Sequence, residues 1–437
     1  MQLKKLSAAL AIASLTASGA AFATNGMNLE GYGPIALGMG GASMAYDNGT
    51  AAVMNNPATL GLMADGSRVD VALGFLGPDV KSSMSGDSSG NAYYMPAVGY
   101  AKKSGKLAYG VGLFAQGGMG TEYAMGVDGM PERSEVGVGR LIAPLTYNVN
   151  SNLSIGGSLD YVWAMMDMQM AMPLANMAGL ITPTGMGNGT LMGALGGMMA
   201  GGYDNARLNF SDNNNYTGKA KTTGWAGKLG FTYKVSPAVT IGGTYHSKTS
   251  LDDMETSTNG ATMVVTDNGG NPTQNVPGKI TVRDFQWPET YGLGMAWQAT
   301  PQLLVAADWK RIGWADVMRN FTMSYSAMGD SVTFSLPQNW DDQDVFSIGL
   351  SYKWSDALTL RAGANISDNP IPSSTVHYLF PAIEENHYTV GLGYAFDKSA
   401  ELNFALSQAA EVKQTSPMGF TVSHSQTSWQ LMYSKKF

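Results

Sequence analysis

A closed, antiparallel all-β barrel in a membrane is the fold class this sequence predicts, on three observations. Charged residues make up 14% of the 437-residue chain, well below the ~25% usual in soluble domains. No stretch beyond residue 23 has the ~18 consecutive apolar residues of a spanning helix. From Arg68 onward, short runs alternate large apolar residues with small or polar ones. That period of two marks strands with one apolar face. Backbone amides cannot go unpaired in hydrocarbon, so a chain that crosses without helices must close into a barrel.

The first residues bear on the compartment. Met1–Ala23 carries Lys4 and Lys5, an apolar run from Leu6 to Ala17 and a closing Ala21-Phe22-Ala23. This reads as a secretory signal peptide, too short in its apolar core to span a membrane. The chain has no cysteine, which excludes a disulfide scaffold, a thiolate metal site and a cysteine nucleophile. A net charge of −7 without a basic cluster argues against a nucleic-acid partner.

Thr24–Met63 is rich in Gly, Ala, Met and Asn and has neither helical nor strand period. It is too long for a linker and is expected to fold inside the barrel as a hatch. Residues 64–437 are expected to form the wall. Arg68–Phe75 is its first clear strand, with Val69, Val71, Leu73 and Phe75 on one face. Tight turns are expected at 103–106, 150–151, 236–237, 300–301, 355–356 and 397–398, joining strands such as Gly278–Gln298 and Gln302–Met318. The opposite connections, 117–134, 170–218, 253–277, 319–343 and 368–385, are long. Short turns at one rim and long loops at the other are the periplasmic and extracellular ends of an outer-membrane barrel. Counted this way the barrel is 14-stranded, an even number as an up-and-down closure favours.

The faces agree. Leu159, Tyr161, Leu229, Phe231, Leu293, Phe346 and Leu350 are expected to face lipid, and Lys228, Asp308, Lys310, Lys353, Arg361 and His387 the lumen. A charge facing hydrocarbon at mid-depth costs about 2–4 kcal/mol. Trp429, Leu431, Tyr433 and the terminal Phe437 share one face. A strand ending in Phe resembles the signal read by the barrel assembly machinery of bacterial outer membranes.

Three stretches together resemble the outer-membrane long-chain fatty acid and aromatic hydrocarbon (toluene) transporters. They are Gly38–Ala42 with Asn55-Asn56-Pro57-Ala58, then Phe114–Gly120, then Arg361-Ala362-Gly363 with Asn369–Pro372 and Gly391–Tyr394. The resemblance spans nearly the whole chain after the signal peptide. It implies a 14-stranded barrel with an N-terminal hatch. It implies a passive channel carrying hydrophobic compounds from an extracellular groove to a lumenal pocket and out sideways into the membrane. The gate would be a kink at Gly117-Gly118 with Asn56-Pro57-Ala58 against it. Two adjacent glycines weaken strand pairing and suit such an opening; a simple strand end is the other reading.

Ligand contacts are expected at two places. The apolar Met/Gly-rich loop of residues 168–218, without charge between Asp167 and Asp204, holds Met172, Met177 and Met192 among several leucines. Flexible thioethers suit an apolar groove, or the loop merely covers the barrel mouth. Val136, Val138 and Arg140 share one inward face. An Arg beside aliphatic residues suits a carboxylate head with an apolar tail; the other reading is a lumenal ion pair with Glu30 or Asp47. The expected partners are hydrophobic small molecules, outer-membrane lipid and lipopolysaccharide, with the chain as a monomer and without a cofactor. His246, His377, His387 and His424 are scattered and lack the Ser or ligand spacing of a lipase or metal site, so no enzyme is expected. A general porin or a structural barrel remains as the alternative.

Overall fold

The computed structural model describes residues 25–186, 189–211, 219–266 and 271–437. The expected signal peptide, Met1–Ala23, lies outside them. Strands in chain order are β1 (Gly66–Ser82), β2 (Gly86–Asp87), β3 (Tyr93–Ser104), β4 (Leu107–Tyr123), β5 (Glu132–Asn148), β6 (Leu153–Pro173), β7 (Ile181–Met186) and β8 (Asn205–Asn209). Next come β9 (Ala220–Ser236), β10 (Val239–His246), β11 (Ser250–Leu251), β12 (Met254–Glu255), β13 (Ala261–Thr266), β14 (Pro272–Arg283), β15 (Thr290–Gln298) and β16 (Leu303–Ile312). The last are β17 (Asn320–Ala327), β18 (Asp330–Pro337), β19 (Gln343–Lys353), β20 (Leu358–Ser367), β21 (His387–Ala395), β22 (Ala400–Thr415) and β23 (Thr421–Lys436).

The expected 14-stranded barrel is corrected here, because the described residues form a single sheet of 23 strands. Its closed circuit runs β1–β3–β4–β5–β6–β9–β10–β15–β16–β19–β20–β21–β22–β23 and returns to β1 through an antiparallel ladder from Arg68↔Lys436 to Ser82↔Val422. Of the other strands, β7, β8, β12, β13, β17 and β18 lie in connections that were read as loops, as does the first half of β14. β8 pairs with the upper part of β6, β14 with β13 and β17, and β18 with β17 and β7. They carry the sheet beyond the lipid-facing band at the end of the long connections.

Two expected strands end early. Gly278–Gln298 is broken between Arg283 and Thr290. Asp284 has φ +48°, and Pro288 has no N–H to give to a ladder. Gln302–Met318 stops at Ile312 and turns into a short helix, Trp314–Val317.

The two faces sort as the alternation requires. Leu229 is 67% exposed while its neighbour Lys228 is 2% exposed, so the first faces lipid and the second the lumen. Asp308, Lys310 and His387 are also buried inside. Lys353 is a correction. It sits at the rim, where its ammonium pairs with Asp356 at 2.8 Å in the turn.

Residues 25–63 lie inside the circuit and are almost wholly buried. They form short turns rather than long elements: Pro34–Leu37, Gly49–Ala51, Ala52–Asn55 and Pro57–Leu62. With few internal backbone bonds, their polar groups are met by the wall. Asp308 accepts from the amides of Ser43 (2.6 Å) and Met44 (3.1 Å), and Asp70 from that of Thr50 (2.7 Å). Asn148 donates to the Gly61 carbonyl at 3.1 Å, and Lys103 to that of Met63 at 2.7 Å. Wall glycines make the close approach possible. A Cβ on Gly242 would stand 2.0 Å from the Met44 oxygen, and one on Gly363 2.2 Å from the Gly40 nitrogen.

Gly242→Val and Gly363→Val are therefore expected to loosen residues 25–63 while the wall still closes. Overpacking of this kind costs about 1–3 kcal/mol. Limited proteolysis should cut the N-terminal segment faster in both variants, with the heat-modifiable gel shift of the barrel retained.

Candidate functional site

The upper half of the lumen is lined by apolar side chains projected from many elements. β6 contributes Met166, Met168, Met170 and Met172, β5 Val136, and β4 Met119. Phe285 and Met318 come from the segments that follow the broken strands, and Phe321 and Leu336 from the β17–β18 hairpin. They enclose a cavity of about 420 Å³. No Asp, Glu, Lys or Arg lines it among the described residues. Met84 and Met418, 46% and 81% exposed, stand at its mouth.

The connection 368–386 folds down to form one side. Val376, His377, Tyr378 and Phe380 line the cavity, and Leu379, Ala382, Ile383 and Glu384 are fully buried. The carbonyl of Leu379 accepts from the hydroxyls of Thr121 (3.2 Å) and Ser134, and that of Tyr378 from Tyr123 (3.0 Å). Glu384 meets the His424 ring at 2.8 Å. Burial holds the His377 imidazole well below its ordinary range, at about 4, so it is neutral at physiological pH.

The floor on one side is the start of the described chain. The Met27 side chain lines the cavity, while its carbonyl accepts the Gly118 amide at 2.9 Å. Asn28 forms a β-bridge with Gly117. Here the wall is interrupted. The β3–β4 ladder ends at Val98↔Leu113, although β3 begins at Tyr93 and β4 runs on to Tyr123. Tyr93–Ala97 and Phe114–Tyr123 therefore share no ladder. A bulge at Gln116 shifts the β4–β5 register between Ala115 and Gly117. A second, small cavity of about 40 Å³ lies in this break, lined by Leu29, Met95, Ala97, Phe114 and Ala115 among others.

The predicted contacts fall out as follows. Val136 and Met172 line the large cavity. Val138 and Met177 are buried in the apolar cluster around it, and Met192 packs on that cluster's edge. Arg140 lies apart, ion-paired with Asp160 at 2.9 Å, and Asp160 also takes Lys228. Neither Glu30 nor Asp47 is its partner; Asp47 lies 3.8 Å from Arg68 instead. The placement of Asn56-Pro57-Ala58 is corrected. Asn56 donates to the carbonyls of Met44 (2.8 Å) and Phe231 (3.0 Å), and Thr146 donates to that of Pro57 (2.7 Å). This turn is thus seated on β5 and β9, and Gly117-Gly118 is covered by Met27 and Asn28. Met27, Phe285, Met318 and Phe380 escaped the sequence reading. For Phe285 the nearest signal is the strand-breaking Trp287-Pro288 beside it.

The chain is similar to proteins of known role. It is 32% identical to the Pseudomonas putida toluene transporter TodX over 94% of this chain and 99% of that one, with a TM-score of 0.82. It is 31% identical to the Ralstonia pickettii toluene transporter TbuX over 94% and 99%, with a TM-score of 0.77. The long-chain fatty acid transport protein of Escherichia coli K12 is 23% identical over 92% of this chain and 90% of its own. The family described as outer membrane protein transport protein (OMPP1/FadL/TodX) matches residues 10–427. With this family match over nearly its full length and a barrel similar throughout to that of a solved toluene transporter, the chain belongs to that family of outer-membrane transport proteins.

Proposed function

We propose that this protein is a passive channel for uncharged hydrophobic compounds, which enter the Met-lined cavity from the extracellular side and leave through the wall break beside Gly117. One observation carries the reading. Met27 lines an apolar cavity without Asp, Glu, Lys or Arg among the described residues, and Leu29, two residues on, lines the small cavity at an unpaired stretch of wall. Burying a methylene is worth about 0.8 kcal/mol, so an apolar solute favours an exit into lipid over one into water.

Residues 25–63 act as the hatch, and Asn25–Asn28 as the part that moves. Asn56-Pro57-Ala58 anchors the hatch. Residues 1–23 direct export, and the strand ending in Phe437 serves assembly of a monomeric barrel in lipid and lipopolysaccharide. Toluene-like neutral compounds fit the cavity better than fatty acid anions. The nearby cations Arg140 and Lys228 are already engaged with Asp160, and thioethers make favourable contacts with aromatic rings.

The reading is tested by uptake into proteoliposomes. Toluene is expected to saturate and to be slowed little by octanoate; preference for octanoate would overturn the neutral-compound assignment. Ala115→Trp, which fills the small cavity, is expected to slow toluene uptake about tenfold or more, ~1.4 kcal/mol on the barrier, with the gel shift of the folded barrel unchanged. Undiminished uptake would remove the sideways route.

The pH dependence follows from His377. Its folded pKa of about 4 lies below the ordinary 6.5, so the unfolded chain binds the extra proton first and the group costs stability as pH falls from 6.5 toward 4. Toluene affinity should be flat from pH 8 to about 5 and drop near 4, where the cavity acquires a charge. His377→Phe should abolish that drop in a binding titration.

A further inference from the structure

Asn28 Oδ1 is the point at which the N-terminal segment, the wall break and a distant buried segment meet. It accepts from Gln116 Nε2 at 2.9 Å, within the β4 bulge, and from the Trp287 indole N–H at 2.8 Å. Trp287 is 1% exposed and its ring reaches the break, since a Cβ on Gly117 would stand 3.0 Å from Trp287 Cζ2. The ring also packs edge-on against Trp314, centroids 5.6 Å apart. Gly26 in turn lies on Trp314, where a Cβ would come within 2.7 Å of Nε1. Two indoles thus form the seat under residues 26–28.

The seat is rigid. The Trp287 amide donates to Thr249 Oγ1 at 2.7 Å, and the Thr249 amide returns to the Trp287 carbonyl at 3.1 Å. Gln286 Oε1 accepts from Thr249 Oγ1 and from the Leu251 amide, both at 2.9 Å. Phe285, two residues before Trp287, lines the large cavity. One short, pinned segment therefore presents a ring to the ligand space and a hydrogen-bond donor to the N-terminal cover.

We propose that Trp287 is the positioning residue of this channel: its indole N–H holds Asn28 on the wall break and sets how readily residues 25–28 lift away. This rests on the reading that those residues cover the exit. A hydrogen bond left unmade in a buried site is costly in either partner, so the pair behaves as one unit. Loss of the indole N–H releases the cover, and loss of the Asn28 acceptor, which also serves Gln116, releases it at least as far.

The natural chain has no cysteine, which permits a direct test. Met27→Cys is labelled with a small maleimide in detergent, without any hydrophobe. Adding Trp287→Phe, which keeps a ring and removes the N–H, is expected to speed labelling about 2- to 10-fold, the range of one neutral hydrogen bond. Asn28→Ala should speed it at least as much, since Gln116 loses its acceptor too, and the two together no further than Asn28→Ala alone, the non-additivity of a coupled pair. A rate unchanged by Trp287→Phe, or effects that multiply in the double variant, would overturn the proposal. The gel shift reports folding; if Trp287→Phe does not fold, Asn28→Ala against its parent decides from the other partner. Labelling needs no transported compound, so a failed toluene assay with accelerated labelling would strike the transport reading and leave the latch standing.

Discussion

In lipid, an unpaired backbone amide has no water to turn to. That constraint governs this molecule. Most of the wall meets it by strand pairing, but β4 gives up its ladder with β3 after Leu113. The Gly118 amide is satisfied instead by Met27, a residue of the lumenal segment. The break in the wall and the residues that lie over it are therefore one hydrogen-bonded structure. The glycine matters for space more than for conformation, since a Cβ on Gly117 would lie 2.0 Å from the Met27 oxygen.

The lumen is divided by chemistry along its length. Around the hatch, charges are paired and buried: Arg68 with Asp70 and Glu401, and Arg140 and Lys228 with Asp160. Above it the lining is thioether, aromatic and aliphatic. Residues 25–63 are held from many sides, so expelling the whole segment would break contacts with β1, β5, β9, β16 and β20 together. Displacing only Asn25–Asn28, as the proposed route requires, would break far fewer.

Much of this was legible in the sequence. Alternation in β1, β9 and β19 identified the wall and its lipid face, and turns such as 355–356 fell where short polar breaks stood. The extracellular hairpins were missed for a definite reason. Phe321, Met323 and Tyr325 do alternate with polar neighbours, but they lie in a connection whose length alone suggested a loop. The site was half legible. Met172 stood out because its loop lacks charge, and Val136 because it shares a strand face. Met27 and Trp287 did not, because what joins them is a contact across 260 residues of chain through Asn28. Local periodicity carries no information about such a pairing. The misplacement of Asn56-Pro57-Ala58 has the same origin: the turn was recognised, but its seat on β9 depends on Gly230, where a Cβ would stand 2.1 Å from Asn56 Oδ1.

The methionine lining has a chemical consequence beyond packing. A thioether is apolar, but oxidants released at cell surfaces, such as peroxides and hypochlorous acid, convert it to a polar sulfoxide. Met418 and Met84 meet the outside medium first, and the β6 methionines lie behind them. Each sulfoxide formed would place a strong dipole on a thioether face that is now apolar. The affinity of this barrel for hydrophobic compounds is thus tied to the oxidative history of the surface on which it sits.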